Sequence, residues 1–272
     1  MVGFSLRKPD ANIKNNPEAF MTFISSDNSA GVFAITLSRA EALNAFTPEM
    51  LTDLLAALTQ AEQDSTVKVI IIKGEGRAFS AGVDLKVLKG IEARSGKIGD
   101  VLDSVANAVT TKIRHLDTPV IAQVHGACFT GALEIALSCD FIITESTTKF
   151  GDTHAQWGLR PTWGMAQNLA RAVGVRRARQ LSYSASVFTG KQAANWGLAN
   201  ESIEGVDELD LSVKKLAKKI AAASTGAVSA YKTLYRLSEE QLALELALKS
   251  ENELEFDGIS DTQERLDGFA AK

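Results

Sequence analysis

Apolar positions along the chain alternate between strand-like runs and helical spacing. Val32 to Leu37 reads as a strand, and the polar loop Ser38-Arg39-Ala40-Glu41-Ala42-Leu43-Asn44 follows it. Thr47 is placed to accept a hydrogen bond from the first turn of a helix, and Pro48 tolerates the position where no donor is needed. Met50, Leu51, Leu54, Leu55, Leu58 and Ala61 then recur on one helical face. Val67 to Lys73 is almost continuously apolar, which predicts a strand buried on both faces. After the glycine-containing stretch 74–84, helical pattern returns at Leu85 to Leu88 and from about Ile98 to His115. Pro119 to Val124 predicts a third strand, Gly131 to Ser138 a short apolar helix, and Phe141 to Thr144 a fourth strand. Beyond Pro161 the pattern is helical almost to the end.

Strands alternating with helices predict parallel pairing through right-handed crossovers, hence an α/β fold. Residues 1–19 read as a poorly ordered leader, 20–204 as the core, and 205–272 as a helical C-terminal region. The apolar positions of that last region lack an obvious sheet to cover. It is either an oligomerisation element or packs on its own domain.

Composition narrows the class without naming a function. Of 272 residues, 45% are hydrophobic and 23% charged, which is the balance of an ordinary globular chain and excludes a disordered or collagen-like one. The 29 basic and 33 acidic residues leave a net charge of −4, so there is no electrostatic footprint for nucleic acid. The most apolar stretch, from Pro119 to Thr144, is interrupted by Gln123, His125, Glu134 and Asp140 and makes a poor membrane span. Cys128 and Cys139 lie in apolar surroundings and read as buried free thiols of a reducing compartment. With no apolar targeting segment near Met1, the expected location is cytoplasmic.

Several familiar sites are absent. Gly74-x-Gly76 lacks the third glycine of a dinucleotide turn, and Gly82 is followed by Val83-Asp84 instead of the lysine of a phosphate loop. Ser80 sits in half of a nucleophile elbow, without the leading glycine. His115, His125 and His154 have no metal-ligand spacing with either cysteine, so no metal is expected. Glu134 is the informative residue: it stands in Ala132-Leu133-Glu134-Ile135-Ala136-Leu137, apolar on every side. A carboxylate there is costly unless paired, and burial raises its pKa. It is either half of a core ion pair or a tuned general acid/base. Gly131 opens the same helix, where unpartnered N–H groups and the helix dipole favour an oxyanion; its alternative role is to allow tight packing. The turn Phe79-Ser80-Ala81-Gly82-Val83-Asp84 offers a second set of backbone donors.

These segments resemble the crotonase, or enoyl-CoA hydratase/isomerase, superfamily from about residue 28 onward. The resemblance rests on Ser38–Ala45, Ala78–Leu85, Pro119–Ala122, His125-Gly126-Ala127 through Gly131–Ala136, and Cys139-Asp140, with Phe150-Gly151, Gly158, Pro161, Gly190–Ala193 and Gly197-Leu198 beyond. It implies a spiral of ββα turns with a helical C-terminal oligomerisation region that packs homotrimers, often paired as hexamers. It also implies an acyl-CoA thioester substrate, with coenzyme A as part of that substrate and no other cofactor. The thioester oxygen would lie between the N–H groups of Val83 and Gly131, and the CoA would follow Ala42, Ala81, Asp84 and Leu85. Hydratases of the family use two glutamates. Glu134 matches the first, whereas His154 stands where the second would fall. Trp157 and Trp163 would frame the acyl pocket, unless either is ordinary core. The implied reaction is hydration of a trans-2-enoyl-CoA, with Glu134 and His154 catalytic. Double-bond isomerisation, another acyl-CoA transformation and non-catalytic acyl-CoA binding are the alternatives.

Overall fold

The computed structural model describes residues 23–89 and 92–239, together with Glu253, Gln263, Asp267 and Gly268. The expected leader, 1–19, lies outside the described residues, as does nearly all of the C-terminal region beyond 239. In chain order the elements are β1 (Ile24–Ser29), β2 (Val32–Leu37), α1 (Pro48–Gln63), β3 (Val69–Gly74), α2 (Leu85–Leu88), α3 (Asp100–His115), β4 (Val120–Val124), β5 (Ala127–Phe129) and α4 (Gly131–Ser138). There follow β6 (Phe141–Glu145), β7 (Lys149–Gly151), a 3-10 turn (His154–Trp157), α5 (Met165–Val173), α6 (Val175–Ser184), β8 (Phe188–Thr189), α7 (Gly190–Asn195), β9 (Glu201–Ile203), α8 (Val206–Ala221) and α9 (Thr225–Glu239).

Six strands form one sheet in the order β1-β2-β3-β4-β6-β9, and β5-β7-β8 form a second, smaller one. From β2 to β9 the large sheet is parallel, as the alternation of strands and helices predicts. Each long strand is followed by a short extended segment that joins the smaller stack. Ser80 bridges to Cys128 in β5, β5 pairs with β7, and Phe46 bridges to Val83. This repeat of long strand, short strand and helix is the spiral of ββα turns. Among the described residues no helix is long and apolar enough to cross a membrane.

The strongest sequence signals map directly onto the fold. Thr47 accepts a hydrogen bond from Met50 N–H at 3.3 Å, and Met50, Leu51, Leu54, Leu58 and Ala61 are buried. The two faces of β3 enter different cores. Ile70 and Ile72 join α1 and α3, whereas Val69 and Ile71 join Ile121 and Ile143 under α8. The expectation that the C-terminal region lacks a sheet to cover is therefore corrected for α8, whose Leu209, Val213 and Ala217 seal that outer face. Cys128 is buried and Cys139 only partly so, with its Sγ toward Ile135 O; both are free thiols.

Strands β1, β5, β7, β8 and β9 carry no readable periodicity. β1 is Ile-Ser-Ser-Asp-Asn-Ser, an exposed edge joined to β2 by Ala30-Gly31, both with positive φ as a tight hairpin turn requires. The other four are two or three residues long, and neighbouring backbone decides their pairing. From Pro161 to Glu239 the described chain is accordingly helical with two short strands inserted, not helical throughout. We expect Leu209→Ala to lower unfolding free energy by about 3 kcal/mol, the usual cost of such a core truncation, read from urea denaturation followed by far-UV circular dichroism.

Candidate active site

Three turns meet at the ends of the short strands. Asn44 ties the first two together: its amide donates to Glu75 O at 2.9 Å and Ala78 O at 2.8 Å, and its Oδ1 accepts from Arg39 N–H. Ser80 is fully buried and serves the same scaffold, donating to Asn44 O at 2.7 Å and accepting from Gly82 N–H. Its hydroxyl is thus a brace for the turn.

The turn at Gly82 lies against the start of α4. A Cβ at Gly82 would come within 2.4 Å of Thr130 Oγ1 and 2.7 Å of Phe129 O, and its φ of +93° suits glycine. Thr130, the residue before α4, has φ 43° and ψ −112°, a conformation that costs a non-glycine residue about 1–3 kcal/mol. Val83 and Gly131 each follow one residue beyond this strained contact. Phe46 N–H donates to Gly82 O and Asp84 N–H to Phe46 O, so the bridge at Val83 leaves its own N–H unused. Among the described residues the N–H groups of Val83 and Gly131 have no protein acceptor. Gly131 must lack a side chain, because a Cβ would lie 2.3 Å from the Trp163 ring.

Glu134 occupies the first turn of α4 and is 1% exposed. No Lys or Arg pairs with it among the described residues, so the core ion pair is not the arrangement found. Its Oε1 accepts from the main-chain N–H groups of Trp163 and Met165, each at 3.0 Å. Its Oε2 faces His154 Nε2 at 3.8 Å. On the far side of the ring, His154 Nδ1 lies 2.7 Å from Asp152 Oδ1. Burial pushes the Glu134 carboxyl up to about 7, against the opposing pull of His154 and the Met165 N–H. Burial also acts upward on Asp152, but the hydrogen bond from His154, the imidazole charge and a hydrogen bond from Ser182 hold it below the ordinary carboxylate value.

A cavity of about 650 Å³ opens beside this cluster, walled by Ala42, Ala81, Val83, Asp84, Leu85, Thr130, His154 and Trp157 among others. All four residues expected along the CoA thus share one wall with Val83, His154 and Trp157. Three expected site residues are not on it. Gly131 and Glu134 sit one layer behind Thr130 and His154. Trp163 lies in the core, 1% exposed, covering Gly131 and donating Nε1–H to Asp103 Oδ1 at 2.9 Å. The expectation that Trp163 frames the pocket is therefore corrected: its indole packs inward because α3 offers it a buried carboxylate. A larger cavity, about 740 Å³, lies between α9 and the C-terminal ends of α3 and α4 and contains none of these groups.

Sequence reasoning missed Arg39 and Asp103. Arg39 pairs with Asp84 at 2.6 Å, while Asp84 also accepts from Lys86 N–H, which occupies its carboxylate with structural work at the start of α2. Burial raises the Asp84 carboxyl, but Lys86 N–H and Arg39 outweigh it and keep the group ionised. Asp103 holds both Thr162 Oγ1 and Trp163 Nε1, which fixes the loop that presents N–H groups to Glu134. Sequence separations of 45 and about 60 residues give neither pairing a local signal. Among the described residues no group of three or more His, Cys, Asp or Glu side chains could hold a metal ion.

Residues 27–272 match the sequence profile of the enoyl-CoA hydratase/isomerase family. The chain is 35% identical over 195 residues to a probable peroxisomal enoyl-CoA hydratase 1 of Arabidopsis thaliana, covering 72% of this chain and 69% of that protein. It is 34% identical over 240 residues to a probable enoyl-CoA hydratase of Rhizobium meliloti, covering 87% and 89%. A crystal structure of an enoyl-CoA hydratase from Mycobacterium avium subsp. paratuberculosis superposes with a TM-score of 0.79 at 27% identity, over 92% of this chain and 96% of that one.

The raised Glu134 carboxyl has a consequence for stability. Between its unfolded value of 4.5 and about 7 the folded state binds the extra proton, so unfolding free energy falls as pH rises through that window. The full penalty, at most about 3 kcal/mol, is present above it. We expect Glu134→Gln to gain stability relative to the parent between pH 5 and pH 8, by urea denaturation at each pH. Parallel stability curves would show that the native carboxyl titrates normally.

Proposed function

We infer that this chain, which belongs to the enoyl-CoA hydratase/isomerase family, is an enoyl-CoA hydratase that adds water across the 2,3 double bond of a trans-2-enoyl-CoA to give the 3-hydroxyacyl-CoA. The observation that carries the mechanism is the carboxyl of Glu134: sealed from solvent, held by two main-chain N–H groups through one oxygen, and turned toward an imidazole through the other.

In this scheme Glu134 starts as a carboxylate and His154 as an imidazolium. One water stands between the cavity and Glu134 Oε2. Its proton goes to Oε2 as its oxygen bonds to C3, and the alkene electrons move through C2 onto the thioester oxygen. The N–H groups of Val83 and Gly131 stabilise that enolate oxygen. Oriented donors of this kind are each worth about two to three powers of ten in rate. When the enolate collapses, C2 takes the proton from His154 Nε2. Transfer of the Glu134 proton to Nε2 across the short gap restores both groups, so one water is consumed and no net proton is released. No cofactor is required beyond the CoA that the substrate carries. Ala42, Ala81, Asp84 and Leu85 lie on the wall along which that CoA would run, and Trp157 on the wall toward its acyl group.

Double-bond isomerisation is the second reading, motivated by the absence of the second glutamate that hydratases of the family use, His154 standing in its place. It needs Glu134 or His154 to move a proton between C2 and C4, with no water added. We expect Glu134→Gln to lower kcat for crotonyl-CoA hydration about 10²–10⁴-fold with KM little changed, the scale of a lost general base, measured by loss of the conjugated thioester absorbance. Unchanged activity would remove Glu134 from the chemistry. Turnover of 3-enoyl-CoA with none of the 2-enoyl thioester would select the isomerase.

The same reading includes assembly as a homotrimer or a hexamer of paired trimers. Its support is the exposed side chains of Tyr231, Leu234 and Tyr235 on α9, an apolar face on a helix that packs only partly on its own chain. Light scattering should give three or six times the 29.1 kDa chain mass; a monomer would refute it.

A further inference from the structure

We propose that Asp152 is a positioning residue that fixes the tautomer and orientation of His154, so that proton exchange in the site runs only through Nε2. The proposal rests on the catalytic reading of His154 and goes beyond it by assigning the group behind the imidazole.

Asp152 follows β7 and is 3% exposed. Its Oδ1 lies 2.7 Å from His154 Nδ1 and also accepts, at 3.4 Å, from the His154 main-chain N–H. The Ser182 hydroxyl of α6 donates to the same carboxyl group, so the side chain is fastened from a second element. An ionised carboxylate only accepts hydrogen bonds, and therefore Nδ1 must carry a proton whether the ring is neutral or cationic. The ring has two states left, and they differ only at Nε2: bare in the neutral form and protonated in the imidazolium. Nε2 is the atom that faces Glu134 Oε2 at 3.8 Å.

Without Asp152 the neutral ring could place its proton on Nε2 and leave Nδ1 bare, and it could rotate about its own axis. The carboxylate also favours the imidazolium that the C2 protonation step consumes. An opposite charge this close typically moves a pKa by about one to three units. Among the described residues Asp152 from its own loop and Glu134 from α4 face the ring, and Ser182 of α6 holds the Asp152 carboxyl. Arg39, Glu41, Asp84 and Lys86 belong to the walls of the adjoining cavity.

The test is Asp152→Asn, which keeps the shape and removes the charge, and whose amide can donate to Nδ1 and so enforce the opposite tautomer. We expect kcat for crotonyl-CoA hydration to fall about 10–10³-fold while KM changes less than about threefold. The alkaline limb of kcat/KM should move at least about one pH unit lower. Nitrogen-15 NMR of the full-length protein, labelled at histidine, reads the same claim without turnover. His154 should lose its protonated Nδ1 signal in the neutral form, and its pKa should drop, while His125 is unmoved. Ser182→Ala should shift both readouts in the same direction by a smaller amount. An unchanged His154 tautomer and pKa in Asp152→Asn would overturn the proposal. If those NMR changes occur but the parent protein does not hydrate crotonyl-CoA, the hydratase reading falls and the positioning role stands.

Discussion

A carboxyl group buried in an apolar helix, with no lysine or arginine paired to it among the described residues, is the constraint around which this site is organised. Charge is expensive there, and the folded chain lowers the cost without a lysine or arginine partner among the described residues. Two main-chain N–H groups from residues 163 and 165 hold one oxygen, and an imidazole stands off the other. Main-chain donors point only where the loop lets them. That loop is pinned in turn by Asp103, which takes the Thr162 hydroxyl and the Trp163 indole at once. The position of Glu134 thus depends on α3, through the side chain of Asp103. A cation in place of the two amides would have locked the group in its ionised form. The observed arrangement leaves its pKa raised to about 7, which suits the proposed role of a group that takes and returns a proton.

The placement of the Val83 and Gly131 N–H groups, the donors proposed for the oxyanion, follows from a second constraint, close backbone approach. Gly82 packs on Thr130, Gly131 packs under Trp163, and Thr130 accepts an unfavourable conformation between them. These contacts pack two turns almost fifty residues apart against each other, and among the described residues the N–H groups of Val83 and Gly131 that follow have no protein acceptor. Unused donors of this kind are what the proposed reaction calls on for its transient negative charge. The same contacts exclude side chains at two positions, so the cradle is built from what those glycines lack.

Much of this was legible beforehand, for reasons that differ between elements. α1 announces itself through Thr47, Pro48 and a one-sided apolar face, and α4 through a short apolar run entered by a glycine. Glu134 stood out because it contradicts its own surroundings. The resemblance of the glycine turns to the crotonase pattern then supplied the fold and the roles. What stayed hidden was either short or distant. β5, β7, β8 and β9 are too brief to show a period, and β1 is polar because it lies at an exposed edge. Asp103 and Arg39 matter through partners far along the chain, and nothing local marks them. Trp163 was misplaced because an aromatic beside a glycine turn looks like a pocket wall until a buried acceptor for its indole N–H is known.

The two-sided burial of β3 carries a final implication for how the chain is made. Val69, Ile71, Ile121 and Ile143 are all laid down before α8 begins at Val206, and the helix that roofs them ends only at Ala221. Until that segment has cleared the ribosome, a stripe of aliphatic side chains on a largely formed parallel sheet faces water. Such a half-roofed sheet is the kind of nascent surface that invites association with other chains or capture by a chaperone. Late closure of this roof, more than the chemistry of the cleft, sets the interval during which the new polypeptide is most exposed to aggregation.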